Sequence, residues 1–322
     1  MPERRLDYPK LLEERGLPGP DEHTMSALRD IVDEGVLGAS NHVALALPLV
    51  ARTAEAHRAS AVQEALALAE FIAQTRGVAA PIVANALSWL TDGIDGLPPS
   101  EAGGRLHGRA AEWQSLTRAR RARLVAHAAK ALASRRAPLL FDYSSTVSDV
   151  VRALAETAQI DRIIVPESRS IEGGRRFLED LSGIGADFVF LPDAALDYAV
   201  ASCDAVLLGA ESVTRDGGVI NTIGSVIAAR CAKARNVPVY GAADLFKVGE
   251  RMASEIGPFE LRSYDFLLPA GQLASTRAPE LEVVPPALIA AILTEAGALA
   301  PEKIAGEAAA ARSSAEPVSD DA

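Results

Sequence analysis

Aromatic residues are scarce, at 5% of 322, and cysteine occurs only at Cys203 and Cys231. Two cysteines cannot build a disulfide framework, which suits a reducing compartment, and both read as small buried apolar residues. Basic charge is in deficit: 32 Lys and Arg stand against 43 Asp and Glu, a net charge of -11. Such a chain as a whole repels nucleic-acid phosphate and anionic lipid, although a local pocket can still take a small anion. No apolar run reaches the ~18 residues of a membrane span. The first stretch, MPERRLDYPKLLEERG, lacks the apolar segment of a signal peptide. A cytoplasmic protein with neither nucleic acid nor membrane as partner is expected, and the sequence points to no cofactor and no metal.

What is present is enough apolar residue, 49% of the chain, to bury a sizeable core. From 24 to 137 the texture is Ala, Leu, Arg and Glu with apolar residues three and four apart, which predicts a helical domain. HTMSALRDIVDEGVLGASN reads as a helix closed by Gly38. The stretch VALALPLVARTAEAHRASAVQEALALAEFIAQTRG reads as two more helices, interrupted near Pro48 and stopped by Gly77, and a last one runs on to Pro138. The arginines of that last helix have no aromatics among them, so they read as a solvated face rather than a nucleic-acid stripe. Residues 1–23 read as partly ordered.

After Pro138 short apolar runs alternate with helical patterns: PLLFDY, DRIIVPE, DFVFLP, DAVLLGA and VPVYGAA are the runs. This is the signature of a parallel sheet covered by helices. The fold class is therefore α/β: an N-terminal helical domain followed by a Rossmann-like domain with a mostly parallel sheet, over 138–302. INTIGSVIAARCAKARN reads as one helix, and the small, polar, acidic tail 303–322 as disordered.

In open parallel sheets ligands bind beyond the carboxyl ends of the strands. Four segments converge there. FDYSSTVSD offers Asp142, Tyr143, Ser144, Ser145 and Thr146, as a ligand surface or a helix cap. PESRSIEGGRR offers Arg169 as a phosphate clamp or a structural ion pair, with Gly173 and Gly174 opening a helix. LPDAALD places Asp193 at a helix start, where capping is the simpler role. GAESVTRDGGVINTIGS, residues 209–225, has neither the GxxxxGK[ST] nor the GxGxxG spacing, so no nucleotide fingerprint follows from its glycines. It delivers Glu211 at a strand end, then a glycine turn, then Asn221 and Gly224. Such a carboxylate can act as a general base or simply accept hydrogen bonds from sugar hydroxyls.

ESRSIEGGRR, LPDAALDYAV, DAVLLGAESVTRDGGVINTIGS, AKARNVPVYGAADLFKV and VVPPALIAAILTEAG, in this order, resemble one superfamily. It unites the alpha, beta and delta subunits of eukaryotic translation initiation factor 2B with methylthioribose-1-phosphate isomerase and ribose-1,5-bisphosphate isomerase. The resemblance implies a sugar-phosphate pocket and a homodimer or higher even oligomer. In the isomerases a cysteine and an aspartate move protons between adjacent carbons of the opened sugar; the matching positions here are Tyr143 and Glu211. The Gly-Ala-Glu form instead resembles the initiation-factor subunits. Thr222 stands where the isomerases have lysine, and Leu37-Gly38-Ala39 where they have Arg-Gly-Ala. Arg169, Arg175, Arg176 and Lys247 remain as candidates to meet phosphate. Two functions follow as expectations: a phosphorylated-sugar binder akin to aldose-ketose isomerases, with substrate contacts at Gly38, Ala39, Ser144, Ser145, Arg169, Arg175, Asp193, Asn221, Thr222 and Lys247; or a non-catalytic subunit that senses a sugar phosphate or nucleotide.

Overall fold

The computed structural model describes residues 7–17, 19, 21–33, 39–55, 60–268, 271 and 274–313. The chain divides into two compact units, residues 1–118 with 310–322, and residues 119–309. Among the described residues no helix is long and apolar enough to cross a membrane.

The first unit is helical: α1 (Tyr8–Glu13), α2 (Glu22–Val32), α3 (Ala39–Ala54), α4 (Ala61–Ala79), α5 (Pro81–Thr91) and the first part of α6 (Pro99–Ala131). Asp21 caps α2 by accepting from the Thr24 amide at 2.7 Å, which satisfies one otherwise orphaned donor. The expected break near Pro48 and stop at Gly77 both fall inside helices. Around Pro48, the buried Val43, Ala46, Leu47, Leu49 and Val50 hold α3 together, against the ~3 kcal/mol that proline costs a helix interior. Gly77 serves close packing instead, since a Cβ there would stand 2.8 Å from that of Ala84 on α5. α5 is not among the predicted helices: Pro81, which ends one apolar pattern, opens the next at its first turn.

The second unit begins within α6 rather than at Pro138, because Leu124, Ala128 and Leu132 share a buried cluster with residues of the sheet. Along the chain follow β1 (Pro138–Phe141), α7 (Ser145–Thr157), β2 (Arg162–Pro166), α8 (Gly173–Asp180), β3 (Asp187–Leu191), α9 (Leu196–Val200) and β4 (Ala205–Leu208). β5 (Ser212–Val213), β6 (Val219–Thr222), α10 (Ser225–Ala234) and β7 (Val239–Ala242) come next. Last are β8 (Leu261–Ser263), β9 (Arg277–Pro279), β10 (Leu281–Val284), β11 (Ala291–Thr294), β12 (Gly297–Leu299) and α11 (Ile304–Ser313).

The five predicted strands are β1, β2, β3, β4 and β7. With β11 and β12 they form a sheet of order β12-β11-β7-β4-β1-β2-β3, parallel except where β12 returns antiparallel on β11. Every residue of β1 and β4 is buried, which is why these strands read as unbroken apolar runs. The order reverses between β1 and β4, which pair from Pro138↔Ala205 to Phe141↔Leu208.

Two expectations need correction. The segment read as a helix from Ile220 is strand β6 up to Thr222, paired antiparallel with β5 and with the distant β10; only from Ser225 is it helical. A partner sixty residues downstream is invisible to local pattern. The tail expected to be disordered from 303 contains α11, whose Ile304 and Ala308 are fully buried. Its alanines also favour helix.

Candidate functional site

Ligands of doubly wound sheets bind at the carboxyl ends of strands where the order reverses. Here the order reverses between β1 and β4, and the loops that follow these two strands stand at that end of the sheet. The two loops touch: a Cβ on Gly209 would stand 2.6 Å from the Cβ of Ser144. Glycine at 209 is therefore required by close approach, and it sets Glu211 two residues beyond. The Glu211 amide donates to the Ile220 carbonyl at 2.9 Å, closing a hairpin whose turn is organised by Thr214. The Thr214 hydroxyl donates to Asp216 at 2.6 Å and accepts from the Gly218 amide at 2.7 Å. No hydrogen bond or ion pair joins the half-buried Glu211 carboxylate to another side chain among the described residues. Lys247, after β7, donates one N–H to the Ala210 carbonyl at 2.6 Å. An ammonium has three such donors, and this one is anchored on the carbonyl of the residue before Glu211.

Asp142, directly after β1, adopts a left-handed backbone with φ 62° and is 5% exposed. Its Oδ2 accepts from the Thr222 hydroxyl at 2.5 Å and its Oδ1 from the Ser168 hydroxyl at 3.3 Å. Burial raises its pKa, opposed by those hydrogen bonds and assisted by the charge of Glu280. Ser168 and Glu172 are also left-handed, at φ 49° and 53°. Such backbone is costly for residues other than glycine, and clusters at functional sites. A Cβ on Gly173 would come 2.3 Å from Asp142 Oδ1, so the glycine pair that opens α8 makes room for this carboxylate.

Asp193 does not cap the turn it begins. Its two oxygens instead accept from the Ser168 and Arg169 amides at 2.9 and 2.8 Å. Arg169 is exposed, donates to Glu172 at 3.2 Å and lies 5.2 Å over the Phe266 ring. Arg175 and Ser145 are exposed, and Ser144 caps α7 through the Val147 amide at 3.4 Å. Asn221 donates to Ser225 at 3.1 Å, so it ties β6 to the first turn of α10. The N-terminus of α10, an anion site by its free amides and dipole, is filled internally. Glu282 on β10 accepts there from the Gly224 and Val226 amides at 2.7 and 2.8 Å.

Beyond β7 and β11 lies a second buried charged group that sequence reading missed. Arg120 donates to Asp244 at 2.9 Å and stacks 4.3 Å over Phe246, and Glu295 accepts from the Leu245 amide at 3.1 Å. Burial, then the charge of Asp244, pushes the Glu295 carboxyl up to about 8. The folded chain thus holds this proton more tightly than the unfolded chain, whose carboxyl titrates near its ordinary ~4.3. The stabilisation is complete below that value and is lost as pH rises towards 8. Urea unfolding should show the wild type losing stability between pH ~5 and ~8 by on the order of a few kcal/mol more than Glu295→Gln, which keeps the acceptor for Leu245.

A family model described as the initiation factor 2 subunit family matches residues 38–301. The chain belongs to this family. Ribose 1,5-bisphosphate isomerase of Pyrococcus furiosus is 28% identical over 166 residues, 49% of this chain and 51% of that protein. Translation initiation factor eIF2B subunit alpha of Caenorhabditis elegans is 29% identical over 171 residues, 52% of this chain and 56% of that protein. The chain spans about half the length of these curated relatives. A solved translation initiation factor eIF-2B of Pyrococcus horikoshii OT3 superposes with a TM-score of 0.72 at 22% identity, covering 88% of this chain and 99% of that one. That likeness shows the fold.

Within this initiation factor 2 subunit family frame, the positions that stood out in the sequence are occupied as follows. Tyr143 packs on Phe177 with ring centroids 5.3 Å apart. Arg176 covers it at 4.3 Å, and its hydroxyl donates to Asp180 at 3.3 Å. Burial and then Asp180 raise its pKa, so the phenol is a weaker acid than free tyrosine and its contacts lead along α8. Thr222 spends its hydroxyl on Asp142. Ala39 begins α3 in the first unit and is 5% exposed. Gly38 lies outside the described residues.

Proposed function

We propose that this chain binds a phosphorylated sugar in the crevice between the β1 and β4 loops. The observation that carries the reading is Glu211: a carboxylate free of side-chain partners among the described residues, set by the Ser144–Gly209 contact where the strand order reverses. Lys247 retains N–H groups to meet phosphate, while Arg169, Arg175, Ser144 and Ser145 offer donors from the flanking loops. On an aldose 1-phosphate whose ring oxygen has taken up a proton on opening, Glu211 would take the C2 proton to leave an enol that keeps the phosphate on O1. Protonation at C1 and loss of the C2 hydroxyl proton would then give the ketose. Membership of a family whose relatives include a named sugar-phosphate isomerase supports this reading, and a homodimer or larger even oligomer goes with it.

A second reading is favoured by Tyr143. With its hydroxyl on Asp180 and its pKa raised, it is a poor replacement for a thiol, and the same crevice would then serve a non-catalytic subunit that senses a sugar phosphate or nucleotide. The two readings part on one experiment. Thermal shift with ribose 1-phosphate, ribose 1,5-bisphosphate, methylthioribose 1-phosphate and nucleoside monophosphates should give stabilisation by at least one sugar phosphate. The best binder, incubated with the protein in deuterated water, should take up deuterium at carbon by NMR if the site catalyses. Binding without exchange or product selects the sensor, and absence of any binding sinks both.

A further inference from the structure

We propose that Asp142 is a positioning residue that holds the two ligand-facing loops of this site, the 168–172 loop after β2 and the 209–222 hairpin after β4, in a single arrangement. What those loops bind rests on the sugar-phosphate reading; what joins them rests on hydrogen bonds.

The connection can be followed atom by atom. Arg169 and Ser168 are held at their amides by Asp193. The Ser168 hydroxyl donates to one oxygen of Asp142 and the Thr222 hydroxyl to the other. Thr222 ends β6, and β6 carries Ile220, whose carbonyl accepts from the Glu211 amide. One carboxylate therefore stands between the arginine of one loop and the acid of the other. Gly173 shows that the fit is close, since any Cβ there would collide with Asp142 Oδ1.

The molecule retains this group at a cost. A left-handed backbone at a non-glycine residue is strained. Burial of a carboxylate is unfavourable unless hydrogen bonds offset it fully, and at Asp142 burial outweighs its bonds from Thr222, the Tyr143 amide and Ser168, with Glu280 adding repulsion. Packing alone would be served better by a neutral residue. What an ionised carboxylate supplies is two strong acceptor oxygens facing different loops, each of which favours one hydroxyl orientation. Asparagine has the same shape and tolerates the left-handed region, but offers one acceptor and an amide whose hydrogens face a hydroxyl.

Asp142→Asn is thus expected to melt no lower than the wild type near neutral pH, since a buried charge is removed. Hydrogen exchange by mass spectrometry should nevertheless show amides in both 168–172 and 209–222 exchanging at least about tenfold faster. The affinity for ribose 1-phosphate should fall by a similar factor. Thr222→Val cuts one arm only, and should loosen the hairpin while leaving 168–172 as in the wild type. Exchange that rises in one loop or in neither in Asp142→Asn overturns the proposal, as does a lowered melting point with faster exchange throughout, which would mark a merely structural residue. If wild type fails to bind ribose 1-phosphate or any other sugar phosphate, the sugar-phosphate reading fails, and the exchange comparison still decides the role of Asp142.

Discussion

Glu211→Gln is expected to lower deuterium uptake into a bound sugar phosphate by about a hundredfold to ten-thousandfold, the range that a positioned general base contributes. The amide keeps the length of the side chain and can still accept from a sugar hydroxyl, so affinity should change by less than about tenfold. Lys247 is held one residue away, at the Ala210 carbonyl. Measuring exchange by NMR and affinity by calorimetry on the same variant separates the two effects. Equal exchange in variant and wild type would remove Glu211 from the chemistry. A loss of affinity as large as the loss of exchange would make it a binding group. Tyr143→Phe gives the contrast: its hydroxyl is committed to Asp180, so exchange should stay within a few fold.

The largest change in stability is expected at Arg120. Its side chain is 10% exposed and that of its partner Asp244 is 17% exposed. Asp244 also accepts from the Phe246 amide at 2.8 Å. Removal of the guanidinium leaves Asp244 and Glu295 as buried neighbouring acids, facing the backbone amides of Phe246 and Leu245. Breaking a buried pair from one side costs about 3–5 kcal/mol, so Arg120→Ala should lower the melting temperature by on the order of 10 °C for a unit of this size. Glu295→Gln in the same background should recover part of the loss by removing one of the two acids. Arg120→Lys should fall between, keeping the charge but not the planar stacking over Phe246. A shift of under ~1 kcal/mol in Arg120→Ala would mean that water reaches these carboxylates.

Legibility in the sequence followed the range of the interaction. β1, β2, β3, β4 and β7 could be read because each is a short apolar run buried by its neighbours, and the loop that carries Glu211 could be placed because a strand end precedes it. The family was legible from ordered motifs. β6 was not, since what makes Val219–Thr222 a strand is β10. Nor was the meaning of Asp193: its position at a helix start suggested a cap, and only the fold shows that its oxygens face the Ser168 and Arg169 amides instead. Asp142 was noticed among hydroxyls and amides, but the left-handed backbone and the two opposed donors are properties of three loops at once. The Arg120, Asp244 and Glu295 group joins helix α6 to two strand ends, and no local spacing announces it.

The bond from Glu282 to the first turn of α10 bears on the order in which this half of the chain can mature. Gly224 and Val226 have their acceptor on β10, and the Ile223 amide has its own at the Glu280 carbonyl. During synthesis, the strands up to β7 can collapse while β6 and the head of α10 still lack these partners. Pairings of such long range form late and slowly. The head of α10 is therefore completed only after β10 has been synthesised, and until then β6 presents an open edge.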